Sequence, residues 1–424
     1  MSPPVRVLIG LAAGLAAGFA LAAAGVPSDG MIVNTADTIG GLWIAALRMT
    51  ILPLVFALIV TGVAARVEAA ASAGQVTRLS FATFIAILLA AVTIVGVVVP
   101  LILSAWPTPP ESAAAIRHAV LVGAKVPPLP GIGEMLRGFI PINVFSAAAA
   151  DNMVPVVFFA LVFGFAVASG PGERRAGLAT FFEWIRETML VIVGWVILLA
   201  PLGVFMLALK LGARTGFAAI GALAHYVAVV VVLAVLAVAL AYLLAIFGGR
   251  IAPSRFARAA ASAQSIAFST RSSIATLPAM ISACEDQLKL PRRVTSVTLP
   301  LAVSLFRICG PMTTFTVGIY CAHLLGVELG PSQFIAGALV SILLLATGGG
   351  IPAEVTFFAS YVLLFNAMGI PIAILGLLVA VEAIPDMFRT LANVTMDMAA
   401  TSVVARISPQ TISDTEPAEL VAGE

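Results

Sequence analysis

EAIPDMFRTLANVTMD, residues 382–397, sets four charged side chains inside the last long apolar run of the chain. Glu382, Asp386, Arg389, Asn393 and Asp397 follow one another at intervals of 4, 3, 4 and 4. At about 100° per residue, all five fall in a sector of roughly 80°, so a helix carries them as one polar stripe, with Thr390 on its edge. The flanking segments, IAILGLLVAV before and MAATSVVA after, are apolar enough to lie in a bilayer. A charge at that depth costs at least ~2.5 kcal/mol even on lenient insertion scales, and no packing requirement calls for four. The stripe is therefore expected to be a substrate or ion site. The plainer reading is that Asp386 and Arg389, at i,i+3, only neutralise each other.

Working outward, the 424 residues are 61% hydrophobic and only 10% charged, with a mean hydropathy of +1.13. A soluble chain of this length needs far more charge to cover its surface, so a polytopic membrane protein is expected. The net charge of +2, without a basic tract, gives no reason to expect nucleic acid as a partner. Cys284, Cys309 and Cys321 have no metal-ligand spacing, and His118, His225 and His323 stand alone, so no metal site or cofactor is expected. No phosphate-binding loop is present, which argues against ATP as the energy source. The apolar N-terminus, with Arg6 as its early charge and further apolar runs at once behind it, reads as a first membrane span rather than a signal peptide.

A span needs about 20 apolar residues. Such runs lie near 5–25, 38–67, 76–105, 138–169, 179–209, 217–248, 292–324 and 370–407. The segments 252–290 and 331–368 differ: each has two short apolar halves around a polar or glycine break, TRSSIATLP and ATGGGIPAE. They read as two re-entrant hairpins. The fold class is thus all-α: eight transmembrane helices plus two re-entrant helical hairpins. With both termini inside, the inner positions collect Arg6, Arg66, Arg78, Arg174, Arg175, Arg250, Arg255, Arg258, Lys289, Arg292, Arg293 and Arg406. The outer loops hold only Arg117, Lys125, Arg137, Lys210 and Arg214, in keeping with the positive-inside rule. Hairpin, then broken helix, occurs twice in the second half with opposite entry sides. Inverted repeats with interrupted helices describe a secondary transporter. The proline-rich stretch 106–137 reads as an extracytoplasmic insertion, and 408–424 as a polar, acidic, disordered cytoplasmic tail.

These features resemble the dicarboxylate/amino acid:cation symporter family, which contains the glutamate and aspartate transporters. RMTILPLVFALIVTGVAAR is similar to its second helix, TRSSIATLPA to its serine-rich first hairpin and PDMFRTLANVTMD to its eighth helix. MLRGFIPINVFSAAAADNMVPVVFFALVFGFAVASG and FFEWIRETMLVIVGWVILLAPLGVF are similar to its fourth and fifth helices. The resemblance implies an elevator-type homotrimer in the inner (plasma) membrane. Residues 1–75 and 138–209 would form the scaffold and trimer contacts; 76–105 and 210–407 would form the moving transport domain. It further implies that Arg389 binds a substrate carboxylate, Asp386 the α-amino group, and Asn393 and Thr390 the remaining polar atoms. Ser272 and Ser273 of the first hairpin and Gly350 and Ile351 of the second would complete the cradle. The chemistry agrees: a guanidinium fork matches a carboxylate, and an aspartate one turn away suits an ammonium. The expected substrate is glutamate or aspartate.

One stretch departs from the family. Where sodium-coupled members carry an Asn-Met-Asp-Gly-Thr break in the seventh helix, this chain has Phe306-Arg307-Ile308-Cys309-Gly310. Sodium needs oxygen ligands, which phenyl and sec-butyl groups cannot supply. Arg307 is accordingly expected to replace a bound sodium ion by neutralising Asp397 or a neighbouring carboxylate, with a proton as coupling ion in preference to sodium. Glu354, Glu382 and Asp397 are the candidate carriers, with Asp397 placed last because an adjacent arginine would keep it ionised. Competing readings are a C4-dicarboxylate symporter, which would leave Asp386 unpaired, sodium coupling with fewer ions, and a non-transporting sensor or anion channel. An aspartyl hydrolase is excluded, because Asp386 and Asp397 lie about 16 Å apart along one helix.

Overall fold

The computed structural model describes residues 3–27, 30–71, 74–121, 140–150, 153–215, 218–307, 309–344 and 353–408. All regular structure among them is helical. The first half contains α1 (Pro3–Ala23), α2 (Met31–Ala71), α3 (Gln75–Ala105), α4 (Pro110–Leu121), α5 (Val144–Ala149), α6 (Met153–Ala168), α7 (Gly172–Leu198) and α8 (Ala200–Thr215). The second half contains α9 (Ala218–Leu243), α10 (Pro253–Thr270), α11 (Ser273–Ser282), α12 (Arg292–Leu301), α13 (Cys309–Leu325), α14 (Pro331–Leu343), α15 (Ala353–Met368), α16 (Leu375–Val381) and α17 (Ala383–Ile407). Among the described residues, three helical stretches are each long and apolar enough to cross a bilayer, Gln75–Ala105, Ile220–Gly248 and Arg292–Leu325.

The run expected as one span over 179–209 is instead bent by 52° between α7 and α8. Pro201 explains the bend: it has no N–H to donate, and its ring crowds the carbonyl four residues back. The insertion expected as aperiodic at 106–137 is helical over α4, where proline occupies the first position and alanines follow. Residues 122–139 lie outside the described part, as does the tail beyond 408.

The helices pack in two sets. In the first, α2 lies against α6, α7 and α8, and α1 lies along α8. Gly10, Gly14 and Gly18 of α1 face the carbonyls of Pro201, Phe205 and Leu209, where an added Cβ would come within 2.5, 2.4 and 2.4 Å. Without a hydrophobic drive between helices in lipid, such small residues let backbones approach closely enough for dispersion to hold them. In the second set, α17 is the centre, contacting α3, α9, α10, α11, α12 and α13.

The second half holds two packed helix pairs, α10 with α11 and α14 with α15. Helices α10 and α11 turn back on each other at Arg271, whose φ of 54° is left-handed, and Arg255 Nε donates to the Gln287 carbonyl at the far end of the pair at 2.8 Å. The following helix is broken where expected. A π-helical turn, Ala302–Phe306, ends α12, and Arg307 adopts φ 39° before α13 starts at Cys309. Next, α14 and α15 pack together, with the Met368 side chain against Gly337. Helix α17 is broken from α16 at Glu382. Left-handed backbone at a non-glycine residue costs about 1–2 kcal/mol. Both arginine turns are therefore held by the surrounding packing.

Candidate functional site

Helix α17 carries the stripe as the spacing predicts, and the fold buries it. Glu382, Asp386, Thr390, Asn393 and Asp397 are all buried and Arg389 is half-buried. Contacts from three other elements define what the stripe can do. Asn393 Oδ1 accepts a hydrogen bond from the Cys309 N–H at 2.8 Å, fastening the first turn of α13 to the middle of the stripe. Gln264 on α10 donates to Thr395 at 2.9 Å, and Phe268 meets Phe388 edge-on at 5.4 Å, fixing the first hairpin arm against α17. The tip of that hairpin brings Arg271 to within 3.7 Å of Asp386 Oδ2.

At the tip itself, Ser272 caps α11 by accepting from the Ala275 N–H at 3.2 Å, and Ser273 is the first helical residue. A helix start presents unsatisfied N–H groups, a natural place for an anion. Gly350 and Ile351 lie outside the described residues, and so does the side chain of Glu354, so the second hairpin's expected share of the cradle has no geometry here.

The charged groups form a different set of pairs from the one the spacing suggests. Arg389 is ion-paired with Glu382, two turns toward the helix start, rather than with Asp386. Tyr226 of α9, fully buried, donates to the other Glu382 oxygen at 3.1 Å. Arg307 is half-buried and acted on by the charges of Arg389, Asp386 and Asp397. Among the described residues, however, it makes no ion pair with Asp397. Several atoms are left open. Among the described residues, Asp386 Oδ2, Arg389 Nε and both carboxylate oxygens of Asp397 are buried without a hydrogen-bond partner, as is the Tyr361 hydroxyl on α15. At least nine in ten buried polar groups in proteins are paired. Five open atoms around one helix mark a site that something else completes.

The side facing α3 is apolar. A cavity of about 150 Å³ lies between Ile87, Ala91 and Ile94 of α3, Cys309 and Met312 of α13, and Met396 of α17. Its lining side chains offer carbon and sulfur, not oxygen ligands for sodium. Arg271 and Tyr226 were missed by sequence reasoning. The one available signal for Tyr226 is scarcity: the chain has four tyrosines, and Tyr226 packs 5.4 Å from a second, Tyr320.

Residues 4–407 match the model of the Sodium:dicarboxylate symporter family. The proton/glutamate-aspartate symporter of Escherichia coli is 28% identical over 398 residues, covering 89% of this chain and 86% of that protein. The proton/sodium-glutamate symport protein of Bacillus subtilis is 25% identical, covering 87% and 85%. Human excitatory amino acid transporter 3 is 27% identical over a shorter stretch, 61% of this chain and 49% of its own length.

Proposed function

The chain belongs to the sodium:dicarboxylate symporter family, membrane transporters rather than enzymes, and from that premise we propose that this secondary symporter takes up glutamate or aspartate together with a proton. The observation that carries the reading is the set of open buried atoms on α17. Arg389 Nε and Asp386 Oδ2 are a donor and an acceptor four residues or fewer apart on one face, which suits a molecule holding both a carboxylate and an ammonium. Asn393 and Thr390 line the same face, and the helix start at Ser273 supplies N–H groups for a second carboxylate.

The coupling ion is assigned by the same reasoning. No group donates to either oxygen of Asp397 among the described residues. A buried carboxylate without donors needs a cation bound to it, and a proton is the one cation that asks for no further ligands. Asp397 therefore replaces Glu382 as the leading carrier, because Glu382 already has Arg389 and Tyr226. Arg307 contributes a fixed charge at longer range, where a removable sodium ion would otherwise balance the site. In this reading the α2, α6, α7 and α8 set is the trimeric scaffold, and the α17-centred set moves across the membrane with its cargo.

A second reading has one specific observation behind it. Arg271 beside Asp386 balances that carboxylate without any substrate ammonium, so a C4-dicarboxylate would not leave it unpaired. Purified protein in liposomes separates these readings. Labelled aspartate and glutamate should accumulate under an inward proton gradient in sodium-free buffer, and succinate should compete at least tenfold more weakly. Accumulation that follows a sodium gradient alone would refute proton coupling, and stronger competition by succinate would favour the dicarboxylate reading.

A further inference from the structure

Arg389 is the residue assigned to the substrate carboxylate, yet in this structure a carboxylate of the chain itself, Glu382, is on it. We propose that Glu382 is an internal competitor for the substrate's seat and that Tyr226 is the positioning residue that keeps it from closing that seat. This rests on the acidic-substrate reading above and adds a residue of α9 to the specificity machinery.

The geometry assigns each oxygen of Glu382 a single partner. Oε1 faces Arg389 Nη2, while Oε2 accepts from the Tyr226 hydroxyl at 3.1 Å. Held in this way, Glu382 engages the guanidinium through one oxygen, and Arg389 Nε stays without a partner. A carboxylate prefers to take two parallel N–H groups of an arginine. Tyr226 prevents this by occupying the second oxygen, so an incoming carboxylate finds Nε open and has only the Nη2 contact to share or displace.

Tyr226 is itself a firm anchor. It is fully buried, and its ring lies 5.4 Å from that of Tyr320, whose hydroxyl donates to the Ala222 carbonyl at 3.1 Å on the same helix, α9. Losing the hydroxyl while keeping the ring, as in Tyr226→Phe, frees Oε2 to swing onto Nε and makes the internal pair bidentate. A hydrogen bond to a charged group contributes about 1.5–3 kcal/mol, which corresponds to roughly tenfold or more in a competing equilibrium.

The test is a mutant cycle in purified full-length protein, with aspartate and glutamate binding measured by calorimetry at one pH. Tyr226→Phe should weaken binding about tenfold in the native background and less than twofold in the Glu382→Gln background, where the competitor has lost its charge. Glu382→Gln alone should leave binding equal or tighter. Equal weakening by Tyr226→Phe in both backgrounds would reduce Tyr226 to a packing residue and overturn the proposal. So would an unchanged affinity, or a Glu382→Gln variant that binds as poorly as Tyr226→Phe, which would make Glu382 a support for Arg389. If the unmutated protein binds neither amino acid, the acidic-substrate reading falls and this proposal falls with it. Binding by the unmutated protein with no effect of Tyr226→Phe defeats this proposal alone.

Discussion

Glu382 and Asp397 mark the two ends of one stripe, both are buried carboxylates, and the fold treats them in opposite ways. Glu382 sits at the break before α17 with a guanidinium on one oxygen and a phenol on the other. Asp397, four turns on, has no donor on either oxygen among the described residues. Burial alone therefore does not mark an ion-handling group. What separates a settled ion pair from a site awaiting a cation is whether the neighbouring helices bring donors: α9 brings one to Glu382, and none reaches Asp397 among the described residues.

The most severe way to break the contrast is to take the charged partner from Glu382, leaving it the Tyr226 hydroxyl alone. Arg389→Cys removes the guanidinium, and stripping one partner from a buried ion pair costs about 3–5 kcal/mol. The same change removes the group proposed to hold the substrate. Losing that charge-assisted contact should lower the binding of aspartate and glutamate by at least about 100-fold, while neutral amino acids gain relative affinity in a competition assay. Binding of acidic substrates within threefold of the native value would show that Arg389 is not their seat.

Making Asp397 permanently neutral sharpens the contrast from the other end. Asp397→Asn keeps the shape of a protonated carboxyl and cannot release a proton. Concentrative uptake driven by a proton gradient should drop by about tenfold or more, because each kcal/mol of coupling lost weighs exponentially on accumulation. Exchange of internal for external substrate, which needs no net proton movement, should persist. Gradient-driven accumulation at native levels in this variant would remove Asp397 from the coupling.

How far the sequence carried this picture depends on the distance over which each signal acts. The stripe was legible because helical periodicity is local, and burial of Glu382, Asp386, Asn393 and Asp397, with Arg389 half-buried, followed from the apolar flanks. The break at Phe306–Gly310 was legible for the same reason, since a charge followed by Gly310 and Pro311 interrupts an apolar run. The Arg271–Asp386 approach was hidden, because it joins residues 115 positions apart through a left-handed turn that arginine seldom adopts. Tyr226 was hidden as well: the few polar side chains of α9, His225, Tyr226 and Tyr242, form no periodic stripe, and nothing marks Tyr226 until α9 is docked on α17. The pairing of Arg389 with Glu382 instead of Asp386 turns on side-chain direction. Helical side chains lean toward the N-terminus, so Arg389 reaches back along the stripe, and the break at Glu382 lets that carboxylate meet it.

The smallest effect is expected near the Asp397 end but off its carboxylate, where Gln264 of the first hairpin arm donates to Thr395. Thr395 also donates to the Leu391 carbonyl at 2.7 Å, so Gln264→Leu removes one donor without leaving that hydroxyl unpartnered. A single neutral hydrogen bond of this kind contributes about 1 kcal/mol, and its loss should lower the thermal stability of the purified protein by that order. Because the contact touches neither Glu382 nor Asp397, substrate affinity and the proton dependence of uptake should both stay within twofold of native. If instead the proton dependence moves while affinity holds, the first hairpin arm reports to the Asp397 end of the stripe. The two ends would then have to be treated as one coupled unit, and the contrast drawn from their separate partners would not stand.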